Sequence, residues 1–312
     1  MAELDLLRSL PTGVTEPTEE ARARARSRLL RHIGDSRRVH RWRILVPALA
    51  LVALGGLAVL FGIGRHGENI ASAAPFLQTV ANTARKQPPT ATLSKGEFQY
   101  TKSVVAYLSG GKGWVALSPG VREVWIGPTG GHMHETWDRP IFLTKADRRA
   151  WIHWGRPQVS PPSDSEDLPP SKPLDLPTNP DELYQALYDK AGGNSNGAES
   201  EMVTEIGDAL RETDASPALR AALYDVAARI PGIELIGPVK DRIGRRGIAV
   251  AYSSHPNDEQ HVLIFDPKTS ALLGEEYREL AGNDYGLPPG TVTGYATYVT
   301  SGIVDRIGAT PK

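Results

Sequence analysis

Cysteine is wholly missing from this 312-residue chain. Its absence excludes a disulfide framework, thiol catalysis, iron–sulfur clusters and every zinc site built on sulfur. An excess of one charge sign is missing too: 35 basic side chains face 36 acidic ones, so no direct nucleic-acid binding is expected. No glycine loop of the phosphate-binding type occurs, and Ser118, Ser253 and Ser301 stand in no nucleophile-elbow motif. His132-Met133-His134, followed by Glu135 and Asp138, puts two imidazoles on one side of a strand, but no third ligand comes with them. Glu275 and Glu276 are adjacent, and adjacent strand residues point to opposite faces, so they cannot work as a catalytic pair. The chain is therefore expected to be no enzyme and to hold no cofactor or metal.

Long apolar runs are lacking as well, with one exception. Ile44 to Ile63 is twenty residues without a charge or a strongly polar side chain. As a helix it would be about 30 Å long, the thickness of a bilayer's hydrocarbon core. A transmembrane helix is expected over 44–63, with Pro47 in its first turn, where a missing N–H costs little. Residues 1–43 carry ten arginines against six acids, whereas the twenty residues after the run offer only Arg65 and Glu68 as charges. The positive-inside rule then places the N-terminus in the cytoplasm and residues 64–312 outside it, making a single-pass cell-membrane protein. A cleaved export signal is the alternative, because Ala71-Ser72-Ala73 fits a small-residue cleavage site and Ser36-Arg37-Arg38 loosely resembles a twin-arginine signal. Signal apolar regions run about 7–15 residues, shorter than this one, and Ala73 lies well beyond its end.

Before the membrane, Leu4, Leu6, Leu7 and Leu10 form a short helical pattern that Pro11 stops. A second helix starts near Thr15–Pro17, with an apolar stripe of Ala21, Ala25, Leu29 and Ile33 among arginines. The arginines suit anionic lipid head groups, while Leu6, Leu7, Leu10, Leu29 and Ile33 are the tail's candidate anchors for a cytoplasmic partner.

After the membrane, residues 64–95 read as a stalk with a short helix around Pro75–Ala84, and the domain proper as 96–312, able to fold alone from about Leu93. Alternation from Phe98 to Leu108, the Gly110-Gly111 turn, and apolar stretches at Gly113–Leu117 and Val121–Ile126 predict strands. Thr144-Lys145-Ala146-Asp147 reads as a capping box for a helix with Ala150, Trp151 and Trp154 as apolar bulk. Residues 157–180, with eight prolines, read as a loop that cannot form a ladder. Asn179-Pro180-Asp181-Glu182 starts a helix bearing Leu183 and Leu187, Val203 and Ile206 mark another, and Ser216-Pro217 starts a third. From Ile233 on, the pattern is strand with short turns, which favours antiparallel pairing. The expected fold class is α+β, a curved antiparallel sheet packed on three or four helices, with a weak likeness to lipoprotein-carrier half-barrels.

Several segments together carry a family resemblance: Arg211–Leu235, Gly244–Val250, Ile264–Thr269, Gly286–Val292 and Ser301–Asp305, with Leu4–Arg8 and the arginine-rich helix before the membrane. They resemble a family of uncharacterised actinobacterial single-span membrane proteins often encoded beside extracytoplasmic-function sigma factors. The resemblance implies a sigma factor or another regulator as cytoplasmic partner and assigns no catalytic residue. The tail departs from the zinc-type anti-sigma pattern, lacking its His and Cys residues. Two readings follow: an envelope sensor or regulator acting through its tail, or an anchored extracytoplasmic module that binds a ligand or lipid.

Overall fold

The computed structural model describes residues 72–90, 93–170, 175–192, 197–211, 215–254, 258–281 and 286–311. The tail 1–43, the apolar run 44–63 and the five candidate anchors Leu6, Leu7, Leu10, Leu29 and Ile33 lie outside them. Among the described residues no helix is long and apolar enough to cross a membrane.

The elements run α1 (Ala74–Arg85), β1 (Phe98–Gly111), β2 (Trp114–Gly127), β3 (Gly130–Trp137), β4 (Ile141–Phe142), α2 (Lys145–His153) and β5 (Asp164–Leu168). Then come α3 (Pro180–Ala191), α4 (Ala198–Leu210), α5 (Pro217–Ala227), β6 (Ile233–Lys240), β7 (Arg246–Ser254), β8 (Glu259–Phe265), β9 (Leu272–Glu279) and β10 (Val292–Val304). The class is α+β, a large open antiparallel sheet packed with helices. Its strand order is β5-β3-β2-β1-β10-β9-β8-β7-β6, and the short β4 pairs with the start of β2. Both meanders follow from short turns, as at Gly111-Lys112-Gly113, where Gly113 takes φ +73°, a value that favours glycine. The last strand returns to the first: Phe98 lies opposite Val304 and Tyr107 opposite Gly294.

Helix starts follow their capping chemistry. The Thr144 hydroxyl accepts from the Asp147 N–H, Asn179 accepts from the N–H groups of Asp181 and Glu182, and Ser216 accepts from Leu219. Asn179→Ala leaves two first-turn donors without their acceptor and is expected to cost about 1 kcal/mol. Denaturant unfolding should show this as a lower midpoint at an unchanged slope.

Helices α1, α3, α4 and α5 form one apolar core with β7 and β8, in which Leu77, Leu183, Met202, Leu223, Val250 and Phe265 are almost fully buried. The stretch expected as a stalk contributes to that core. In α1, Leu77, Val80, Ala81 and Ala84 are all 0 % exposed. Ser72 bridges to Glu234, and the Ala73 N–H donates to the Ile233 carbonyl. The core thus takes in the chain from Ser72 on, and a chain cut after Ala73 would lose both ties.

Three further expectations need correction. Residues 157–180 do form a ladder: β5 pairs with β3 from Leu168 against Gly131 to Asp164 against Glu135. Its five residues contain no proline, and one paired side at the sheet's edge is all that proline-flanked backbone has to supply. The two stretches at 113–117 and 121–126 are one strand, β2, and Pro119 falls between its pairings with β4 at Leu117 and with β3 at Gly120. The alternation from Phe98 to Leu108 does not leave one face of β1 bare: Thr101 and Ser103, between its apolar residues, are buried like Val105, and the pairing with β10 shifts register between Lys102 and Ser103.

Candidate functional site

Strand β9 carries the two adjacent acids, and the pleat sends them to opposite faces of the sheet. Glu275 lies opposite Leu263 of β8 and Ala296 of β10, on the side of the helical core. Its side chain is 3 % exposed. Three groups close on it. Arg211, just past the end of α4, donates from Nη2 at 2.7 Å, the Tyr298 hydroxyl of β10 donates at 2.7 Å, and His261 Nε2 of β8 lies at 3.1 Å. Arg211 also pairs with Asp208 at 2.6 Å. Tyr277 stacks on His261, with ring centroids 4.5 Å apart and planes 11° from parallel. Gly207 makes room for the approach of α4, since a β-carbon there would sit 3.1 Å from Arg211 Nη2 and 3.5 Å from His261 Cε1.

Burial alone would raise the Glu275 carboxyl, but the Arg211 charge and the hydrogen bonds from His261 and Tyr298 outweigh it and bring it down to about 2. Burial works against the Arg211 charge in turn, and Glu275 foremost holds the guanidinium well above its ordinary value. Asp208 is pushed up by burial, against the pull of Arg211, and Tyr277 is pushed up by burial and by the Glu275 charge. The cluster is an ionised carboxylate of β9 clamped from one helix and two neighbouring strands. A carboxylate so held is a poor proton donor, and the arrangement serves to fix α4 on the sheet. One donor stays unmatched: Arg211 Nε is buried with no partner.

On the opposite face Glu276 is held by Arg242 at 2.8 Å and Arg278 at 2.7 Å, and the Arg242 guanidinium sits 4.9 Å over the Tyr295 ring. The expectation that the two acids do not cooperate holds, and each has its own arginines. Beside the Glu275 cluster, between helices and sheet, a cavity of about 10 Å³ is lined by Leu77, Val203, Ile206, Tyr224, Leu263 and Phe265, and it reaches His261. That is room for about one water.

The imidazoles of His132 and His134 serve as rungs of the β3–β5 ladder. His132 Nδ1 lies 2.9 Å from an Asp167 carboxylate oxygen and His134 Nδ1 lies 2.8 Å from the Ser165 hydroxyl. Among the described residues no set of three His, Asp or Glu side chains is placed to hold a metal ion. Ser118 is buried and within 3.3 Å of Ser109.

Sequence reasoning saw the Glu275–Glu276 pair but missed Arg211, His261, Tyr277 and Tyr298 around it. Pairing register decides which strand residues meet, and Arg211 comes from the end of a helix 64 residues before Glu275. The available signal was Gly207, a glycine inside an otherwise helical pattern one turn before an arginine. No protein-family model matches the chain, and no curated protein matches it.

Proposed function

We propose that the chain is a single-pass membrane protein, N-terminus cytoplasmic, whose extracytoplasmic domain is a non-enzymatic envelope sensor or regulator. Its tail engages a cytoplasmic partner, a sigma factor on the family resemblance. The observation that carries this reading is how the chain enters the domain. Only residues 64–71 separate the apolar run from Ser72, where the backbone is tied to β6 and continues into the core helix α1. A change in the packing of the domain would then reach the segment expected to cross the bilayer through eight residues.

The test has two arms. An alkaline phosphatase fusion should be active at the C-terminus and inactive at the N-terminus, and the reverse pattern would overturn the topology. Crosslinking in membranes should then recover a cytoplasmic partner that Leu7→Asp with Leu29→Asp abolishes while insertion persists, because burying a leucine supplies about 1.5–3 kcal/mol of specific docking and screened arginine–lipid attraction discriminates little. Unchanged crosslinking would reduce the tail to a charged anchor.

The second reading, an anchored module for a lipid or another apolar ligand, is favoured by the cavity between the helices and β7–β8, in the seam where a curved, lipoprotein-carrier-like sheet would take an acyl chain. With room for about one water, that seam must open by movement of the helix layer before a chain enters.

A further inference from the structure

The nine residues of α2 separate their charges by face. Lys145, Arg148, Arg149 and Ile152 recur at helical spacing and are exposed. The helix's one acid, Asp147, is turned inward. It is 5 % exposed and accepts from the Val115 N–H at 3.1 Å and from the Thr144 hydroxyl at 2.6 Å. Apolar groups at this tip are exposed too, Trp154 at 51 %, Ile141 at 52 % and Ile152 at 38 %, and Ile152 shares the basic face. Beneath them Trp151 packs on Phe142, ring centroids 5.0 Å apart, so the base is rigid. Trp154, expected to supply apolar bulk to the helix, instead stands past its end with the Lys112 ammonium 5.0 Å from its ring.

Outside this tip every described arginine except Arg220 and Arg246 is ion-paired, Arg85 with Asp225, Arg229 with Asp181 and Arg245 with Asp241 among them. Among the described residues Lys112, Arg139, Lys145, Arg148, Arg149 and Arg156 have no acidic partner. Among the described residues Lys86, Lys95, Lys240 and Lys268 also lack an acidic partner, but they are scattered along the chain, whereas Arg139, Lys145, Arg148, Arg149 and Arg156 gather within residues 139–156. A basic stripe carrying Ile152, with exposed Trp154 and Ile141 beside it, fits the boundary between anionic head groups and acyl chains.

The strand register gives the orientation. The first pairs of β6 and β7 (Ile233–Tyr252), the turn between Ser254 and Glu259, the end of β9, the start of β10, the end of β1 and the start of β2 all lie at one end of the sheet. Ser72 joins the sheet at that end through Glu234, and α2 packs there against β2 and β4. From β6 to β2 is six strand spacings, on the order of 30 Å. Residues 64–71 reach at most about 28 Å. We propose that this tip, α2 with the β1–β2 turn, rests on the anionic surface of the bilayer that the run 44–63 enters. It forms a second contact that fixes which end of the domain faces the lipid. The proposal depends on the membrane-anchored reading above.

With no native cysteine, single labels are clean. The full-length chain carrying His153→Cys, or Thr129→Cys at the opposite end of the sheet, is labelled with a fluorophore in vesicles of phosphatidylcholine with about one third phosphatidylglycerol, and quenched by head-group spin-labelled lipid. The expected result is quenching at least about five-fold stronger at 153 than at 129. It should fall to the level of 129 in the Arg148→Glu, Arg149→Glu variant and weaken in pure phosphatidylcholine. Equal, weak quenching at both positions in a chain that floats with the vesicles would overturn the tip contact and leave the anchor standing. A chain that alkaline carbonate strips from the vesicles would overturn the anchor and the contact with it. Efficient disulfide trapping between two His153→Cys chains would assign the surface to a second copy instead.

Discussion

A fragment that starts at Ser72 unfolds in one cooperative transition, and one that starts at Leu93 does not. The sequence alone places the domain's beginning near residue 96, because α1 follows so closely on the apolar run that it reads as part of a stalk. Yet α1 puts Leu77, Val80, Ala81 and Ala84 at 0 % exposure against α5 and the sheet. Burying a leucine or valine is worth about 1.5–3 kcal/mol. Removing these two with two buried alanines, and uncovering their partners Tyr224 and Phe265, takes away most of the about 5–15 kcal/mol by which a domain is stable. Thermal unfolding followed by circular dichroism distinguishes the two fragments. Leu77→Ala in the longer one should cost about 2–5 kcal/mol, and matching transitions in both fragments would remove α1 from the core.

Removing the Glu275 carboxylate alone should be among the most damaging single changes in the domain, since Glu275→Ala takes the acceptor from Tyr298 and His261 and leaves Arg211 only the half-exposed Asp208 as counter-ion, a loss of up to about 3–5 kcal/mol. Arg211→Met together with Glu275→Leu should cost much less than Glu275→Ala, because it removes both charges and fills their space. The pH dependence follows from the carboxyl being held down to about 2, against about 4.5 for an ordinary glutamate. Its stabilisation is whole above about pH 4.5 and is lost as pH falls through about 2, because the unfolded chain binds that proton first. At neutral pH it amounts to about 3 kcal/mol. Urea unfolding from pH 7 to pH 2.5 should show a declining acid limb in the parent and a flatter one in Glu275→Gln. Identical limbs would show that the network is indifferent to this charge.

Features written within a few residues were legible in the sequence. Asn179, Ser216 and Thr144 cap helices because a short polar side chain reaches the nearest N–H groups, and the Gly110–Gly113 turn folds its own hairpin. Opposite faces for Glu275 and Glu276 follow from the pleat. Features that depend on distant partners were not legible. Strand β5 exists because β3 offers an edge to it, although prolines flank it on both sides. Tyr298 meets Glu275 through a register set by the whole sheet, and Arg211 reaches it from the end of a helix. Asp147 takes an inward position because it is bonded to Val115 from another element, and Trp154 stands past the end of its helix under Lys112 from the β1–β2 turn. The tail's leucines and the apolar run lie outside the described residues.

The return of β10 to β1 has a consequence for the order of assembly. Phe98 and Val304 are about 200 residues apart in sequence yet paired, whereas β1 with β2 and β6 with β7 close over short turns. A chain emerging from the ribosome can make those hairpins as they appear, but the joint between the two halves of the sheet waits for the final strand. Until then β1 presents an open edge and the halves are separate, so the nascent domain is most exposed to proteases and to pairing with other chains in the last moments of its synthesis. Loss of only the last twenty-one residues, 292–312, removes β10 and leaves that exposure permanent.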